Sequence, residues 1–267
     1  MRARLERLAA EYNRASRRGS DPVRFIYDYD SPGDRELAGF IVSTLAYGRV
    51  EQIIKSCAKV LAPLGPGLRK AVRTAKTGLT RLYGNFRHRL NKGSDIALLL
   101  LGLRDILSRY GSLLGLFRSS LLRSRGCLRQ TLSFFVGTIR KAVVRASIRR
   151  RIPLGYVMHL LPSPESNSAC KRMNLFLKWM IRKDAVDPGV WSASLPGLRS
   201  RLVIPLDVHI SRNARRHGMT DRKTDDWKTA EEITAFLRVY CPEDPLKYDF
   251  AICHEGMDSV RLHGART

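Results

Sequence analysis

Apolar residues recur at helical spacing along almost the whole chain, and that period is the strongest constraint on what it can fold into. Between residues 34 and 47 the apolar positions are Leu37, Ala38, Phe40, Ile41, Val42, Leu45 and Ala46. A helix that is apolar nearly all round has to be buried centrally. Ser31 or Asp34 can cap it, and Pro32 suits a first turn. Helical patterns also cover 1–15, 50–61, much of 52–164, about 169–182, 208–216, the stretch up to Tyr240, and 246–253. Residues 184–201 carry Asp-Pro-Gly and Leu-Pro-Gly breaks and form an irregular connection, and the tail after Met257 has no pattern. No run of period-two alternation sits between hairpin turns, so the expected class is all-α.

At 267 residues the chain can build one large domain or two lobes. The pattern predicts a lobe over about 50–160 and a second lobe joining 1–49 to 161–257, with 258–267 as a tail. Segment 163–219 would lie at the cleft between them.

Charge narrows the partners. Lys and Arg number 48 against 24 Asp and Glu, a formal +24. Such a surface attracts polyanions, nucleic acid first and an anionic membrane surface second. From Gln52 to Pro164 only Asp95 and Asp105 are acidic, while Arg outnumbers Lys, which suits bidentate contact with phosphates. Tyr83 and Phe86, beside Arg87 and Arg89, are read either as contacts near a base or sugar or as core aromatics.

Five cysteines without close pairing are a poor disulfide framework, so reduced thiols and a cytoplasmic location are expected. The Arg-rich start has no secretory pattern, and no apolar run is long enough to span a bilayer, so no membrane partner is expected. The six histidines show no metal-ligand spacing, so neither metal nor other cofactor is expected. A monomer is expected.

Two residues at helix starts carry the chemistry. Ser166, Asn167 and Ser168 are good cap types, and Lys171 follows in the first turns of the helix they would open. Asp207 follows Pro205, where another helix begins. Lysine is a poor nucleophile at its ordinary pKa, but desolvation, a helix N-terminus and Arg172 beside it would lower that value. A carboxylate at Asp207 could then take a proton from the amine or stabilise a cationic sugar. The plain alternative is a solvated lysine and a capping aspartate, and spacing alone does not separate the two.

Ile204-Pro-Leu-Asp-Val-His-Ile-Ser-Arg-Asn-Ala-Arg-Arg-His-Gly218 resembles the segment of helix-hairpin-helix DNA glycosylases that carries their catalytic aspartate. Phe40-Ile-Val-Ser-Thr-Leu-Ala-Tyr-Gly-Arg49 resembles the buried helix before the substrate pocket in the same enzymes. The chain is also similar to a bacterial family of uncharacterised relatives sharing Pro-Leu-Asp and Lys-Tyr-Asp-Phe (247–250). The spacing of Lys171 and Asp207 is most similar to that of archaeal-type 8-oxoguanine glycosylases.

The resemblance implies a two-lobed helical fold and removal of a damaged base from DNA, with oxidised bases among the candidates. Lys171 would be the Schiff-base nucleophile and Asp207 the catalytic carboxylate. Arg49, Arg87, Arg89, His209 and Arg212 would contact DNA. The family's hairpin reads Leu-Pro-Gly-x-Gly, whereas this chain has Leu161-Pro-Ser-Pro-Glu-Ser-Asn-Ser-Ala, without either glycine. Phosphate contact there would fall to the side chains of Ser166, Asn167 and Ser168. Many relatives hold an iron–sulfur cluster on four cysteines, which Cys241 and Cys253 alone cannot supply. The rival reading is a non-catalytic basic protein that binds DNA or structured RNA.

Overall fold

A computed structural model describes residues 1–75 and 78–264. In chain order the helices are α1 (Arg2–Tyr12), α2 (Arg24–Tyr27), α3 (Pro32–Leu45), α4 (Val50–Leu61), α5 (Leu68–Arg73) and α6 (Leu79–Leu82). A short hairpin of β1 (Arg87–His88) and β2 (Asn91–Lys92) comes next. Then follow α7 (Gly93–Tyr110), α8 (Leu113–Arg123), α9 (Leu128–Arg150), α10 (Lys171–Ile181), α11 (Val208–Arg216), α12 (Trp227–Tyr240) and α13 (Asp249–Gly264). The class is all-α. The hairpin is an addition that two-residue strands could not announce through period-two patterning. The final helix also differs from expectation: 245–248 is a 3-10 turn, and α13 runs on to Gly264 through most of the presumed tail.

The chain divides into two compact units, one of Ser20–Ser166 and one of Met1–Gly19 with the chain from Asn167 onward. Residues 20–49, expected with the C-terminal third, belong instead to the central unit, because α3 packs there on α4, α5 and α8.

In the central unit α3 is buried as its composition requires, with Ser31 Oγ accepting from the Asp34 amide at 3.0 Å as its N-cap. Leu98 to Leu101 bury all four successive directions of α7. The α7–α9 contact is close at Gly102, where a Cβ would lie 2.6 Å from Val143 Cγ2. Phe40, Phe135 and Phe117 meet edge to face, with centroids 6.1 and 5.8 Å apart. Glu36 is buried because its carboxylate accepts the Leu113 and Leu114 amides at the start of α8, 2.6 and 3.0 Å away. Tyr83 and Phe86 are core aromatics, and the Tyr83 hydroxyl donates to Val60 O at 2.8 Å. That removes them as contacts to a base.

The other unit holds α1 and α10 to α13. Phe176 meets Trp191 edge to face at 5.1 Å, and Trp179 and Trp227 are buried. Each residue of Lys247-Tyr-Asp-Phe250 has a partner here. Lys247 and Tyr248 reach Glu6 of α1 at 2.7 and 2.6 Å, Asp249 pairs with Lys178 at 2.8 Å, and the Phe250 ring lies against His254. Among the described residues no helix is long and apolar enough to cross a membrane.

Candidate active site

The local fold around Lys171 is set by two reversals. Asn167 and Cys170 both take left-handed backbone, φ 55° and 51°, a conformation costing a non-glycine residue about 1–2 kcal/mol. Cys170, and none of the three expected cap residues, is the N-cap of α10. Ser168 Oγ instead accepts from the Cys170 amide at 3.1 Å, inside the turn. Ser166 and Asn167 are exposed. The reversal makes Lys171 the first helical residue of α10.

Asp207 is the N-cap of α11, as its place after Pro205 predicted. Its Oδ1 accepts the His209 and Ile210 amides at 3.0 and 2.9 Å. Its Oδ2 faces Lys171 Nζ at 2.9 Å. The Cys253 thiol of α13 lies 3.8 Å from the same Oδ2. The two oxygens therefore divide their tasks, one holding a helix start and the other facing an amine.

Cys253 is brought there by a close approach of α11 and α13. A Cβ at Gly256 would lie 2.9 Å from Asn213 Nδ2 and 3.3 Å from His209 Cβ. Asn213 also donates to Ile252 O at 2.9 Å.

The charge state of the amine corrects the sequence expectation. Burial pulls the Lys171 pKa down, but the Asp207 carboxylate, its hydrogen bond, and the acidic groups of Cys253 and Asp249 hold it above the ordinary lysine value. Asp207 is pushed up by burial, yet Lys171 and the Ile210 amide bring it below the usual carboxylate range. The resting pair is therefore ammonium and carboxylate. The helix start and Arg172, taken alone, pointed the other way, because the partner across the fold could not be seen locally. Lys171 keeps 34% of its side-chain surface exposed, while Asp207 keeps 10%.

A buried polar column continues from this pair along α10. Asn174, Lys178 and Arg182, spaced for one helix face with Lys171, are 1, 1 and 3% exposed. Lys178 Nζ lies 2.8 Å from Asp249 Oδ2 and 3.6 Å from Asp187 Oδ1. Arg182 pairs with Asp187, with Asp184 at 2.8 Å and with Asp244 at 2.8 Å. Burial disfavours both cations, but these carboxylates raise their pKa values above the ordinary range. Helical spacing by itself brings Lys178 and Arg182 to the face of Lys171, but sequence reading missed Asp249, Cys253 and Asp187. Asp249 lies within the Lys-Tyr-Asp-Phe stretch, the one signal that could have found it.

The remaining expected contacts fall in both units. His209 gives its amide to Asp207, and its buried Nδ1 has no hydrogen-bond partner among the described residues. Arg212 is exposed on α11. In the central unit Arg49 is exposed at the start of α4, and Arg87 and Arg89 are exposed on the hairpin. Arg89, at φ 52°, lays its side chain over Gly48, where a Cβ would meet Arg89 Cδ at 3.1 Å. Among the described residues no group of three or more His, Cys, Asp or Glu is placed to hold a metal ion.

Residues 21–258 match a family model described as a protein of unknown function, DUF2400. No curated protein and no solved structure matches the chain.

Proposed function

Because the chain belongs to the DUF2400 family, whose function is unknown, its activity has to come from the site, and we propose that it is a DNA N-glycosylase with β-lyase activity. The observation that carries this reading is the 2.9 Å approach of the Lys171 amine to one oxygen of a carboxylate whose other oxygen caps α11. A positioned amine next to a base is the arrangement that amine nucleophiles need. The +24 charge supplies the attraction to DNA.

The damaged nucleotide leaves the stack and covers Lys171, excluding the water that now reaches it. Desolvation then favours the neutral amine, and the ammonium proton passes to Asp207 Oδ2. The nitrogen lone pair attacks C1′ as the bond from C1′ to the base breaks, and the base departs with that electron pair and a proton. The proton held by Asp207 goes to the departing base, and the carboxylate so regenerated stabilises the cationic sugar as it develops. The second amine proton passes to O4′ as the C1′–O4′ bond breaks, so the ring opens and the lysine nitrogen forms the imine with C1′. Removal of a C2′ proton then expels the 3′ phosphate by β-elimination. The Cys253 thiol, placed on the same carboxylate oxygen, helps fix its orientation.

The test is base release from duplexes carrying oxidised, deaminated or alkylated bases, and strand cleavage at abasic sites. The wild type should release at least one of them, and Lys171→Ala and Asp207→Asn should each lose release by about a hundredfold or more. No release and no strand cleavage on the whole panel would reject the enzyme. A second reading is then favoured by the charge state of the pair: an ammonium locked on its carboxylate is also what a purely structural ion pair looks like. That reading is a non-catalytic basic protein that binds DNA or structured RNA.

A further inference from the structure

Only two carboxylates occur between residues 52 and 164, and each marks an ordered cluster. Asp95 holds the hairpin. Asp105 stands among arginines of α7 and α9, beside a pocket of about 160 Å³ lined by Asp105, Ser108, Arg109, Arg145 and Arg149.

Asp105 lies 3.4 Å from an Arg104 nitrogen and 3.6 Å from Nη1 of Arg149. The second distance is too long for a hydrogen bond, so Arg149 keeps its donors for another acceptor. Arg109 and Arg145 have no hydrogen-bond or carboxylate partner among the described residues. Arg145 is half-buried and Arg109 exposed. Three guanidinium groups around one small pocket repel each other, and the single carboxylate is already shared between Arg104 and Arg149. A bound anion with several acceptor oxygens would relieve that repulsion and use the forked donors, which match phosphate geometry. The Ser108 hydroxyl adds a donor at the rim.

We propose that the α7–α9 groove at Arg109, Arg145 and Arg149 is an oxyanion site that takes a phosphate group. The phosphate belongs either to a nucleic-acid backbone or to a free phosphate compound. The site is independent of the chemistry at Lys171, and its failure would leave that chemistry untouched.

The experiment compares the full chain with an Arg109→Gln/Arg145→Gln variant and with a control of equal charge change, Lys59→Gln/Lys228→Gln, at exposed positions elsewhere. Inorganic pyrophosphate is titrated by calorimetry, and a short undamaged duplex by fluorescence anisotropy. The arginine variant should lose about tenfold in pyrophosphate affinity while the control changes by less than about twofold. A parallel loss of duplex affinity, beyond that of the control, assigns the site to the nucleic-acid backbone. Unchanged duplex affinity assigns it to a free phosphate compound. Equal pyrophosphate affinity in the arginine variant and the control would overturn the proposal.

Discussion

Lys171 rests as an ammonium held by Asp207, and this charge state decides how the pair behaves with pH. Asp207 titrates below its usual 3.8, so its share of stability is present above that value and is lost as pH falls through the folded pKa. Lys171 titrates above 10.5, so its share is present below that value and is lost as pH rises through the folded pKa. Removing the pair should leave stability near pH 7 lower and flatten both flanks. Asp207→Asn should keep the cap on α11, whereas Asp207→Ala should cost about 0.5–2 kcal/mol more. Urea unfolding of the two variants at neutral pH measures that difference, and equal stabilities would mean that Oδ1 does not cap the helix. The same charge state governs reactivity. Imine formation with an abasic site should change by less than about threefold between about pH 6 and 8, because the proton that leaves the amine stays within the pair on Asp207 Oδ2. A rate rising about tenfold per pH unit would contradict proton transfer within the pair.

The elements show why some of this was legible in sequence and some was not. Asp207 after Pro205 and Lys171 at a helix start leave local marks, so both could be named from residue types alone. Asp249 and Cys253 act through contacts with residues far away in sequence, and Asp187 reaches Lys178 and Arg182 only because the chain after α10 folds back on itself, so nothing at their own positions announces the partner. The left-handed Cys170 also left no mark, because its conformation is imposed by the turn and not favoured by its side chain. The central helix α3 was legible because burial on every face shows directly as composition. The hairpin was missed because its strands are two residues long and a polar network, not alternation, holds it. Asn91 Nδ2 donates to Asp95 Oδ2 and Tyr156 O at 3.0 and 2.9 Å, and the Tyr47 hydroxyl donates to Asn91 Oδ1 at 2.6 Å. Asp95 also accepts the Lys92 and Tyr156 amides at 2.8 and 3.0 Å. Asp95→Ala leaves several buried donors unpaired, each costing about 1–3 kcal/mol. Thermal unfolding should show a loss of at least about 2 kcal/mol, and hydrogen exchange should rise in 87–92; an unchanged melting curve would show that the network does not hold the hairpin.

At the scale of the whole molecule the excess of 24 positive charges would attract any polyanion whatever its sequence, so affinity for a duplex alone would say little about chemistry. Arg87→Ala with Arg89→Ala should weaken duplex binding whatever its sequence and flatten the salt slope by about 0.9 for each phosphate no longer neutralised. An unchanged slope would place the hairpin away from the backbone. What separates an enzyme from a basic binder is a covalent bond. Incubation with a duplex containing an abasic site, followed by borohydride, should give a protein–DNA adduct stable to denaturation, with the modified peptide carrying the sugar on Lys171. Lys171→Ala should form no adduct while binding the duplex within about twofold of wild type, since one lysine among so many cations adds little to the total attraction. An adduct that persists at full yield in Lys171→Ala, or that maps to another lysine, would contradict Lys171 as the nucleophile.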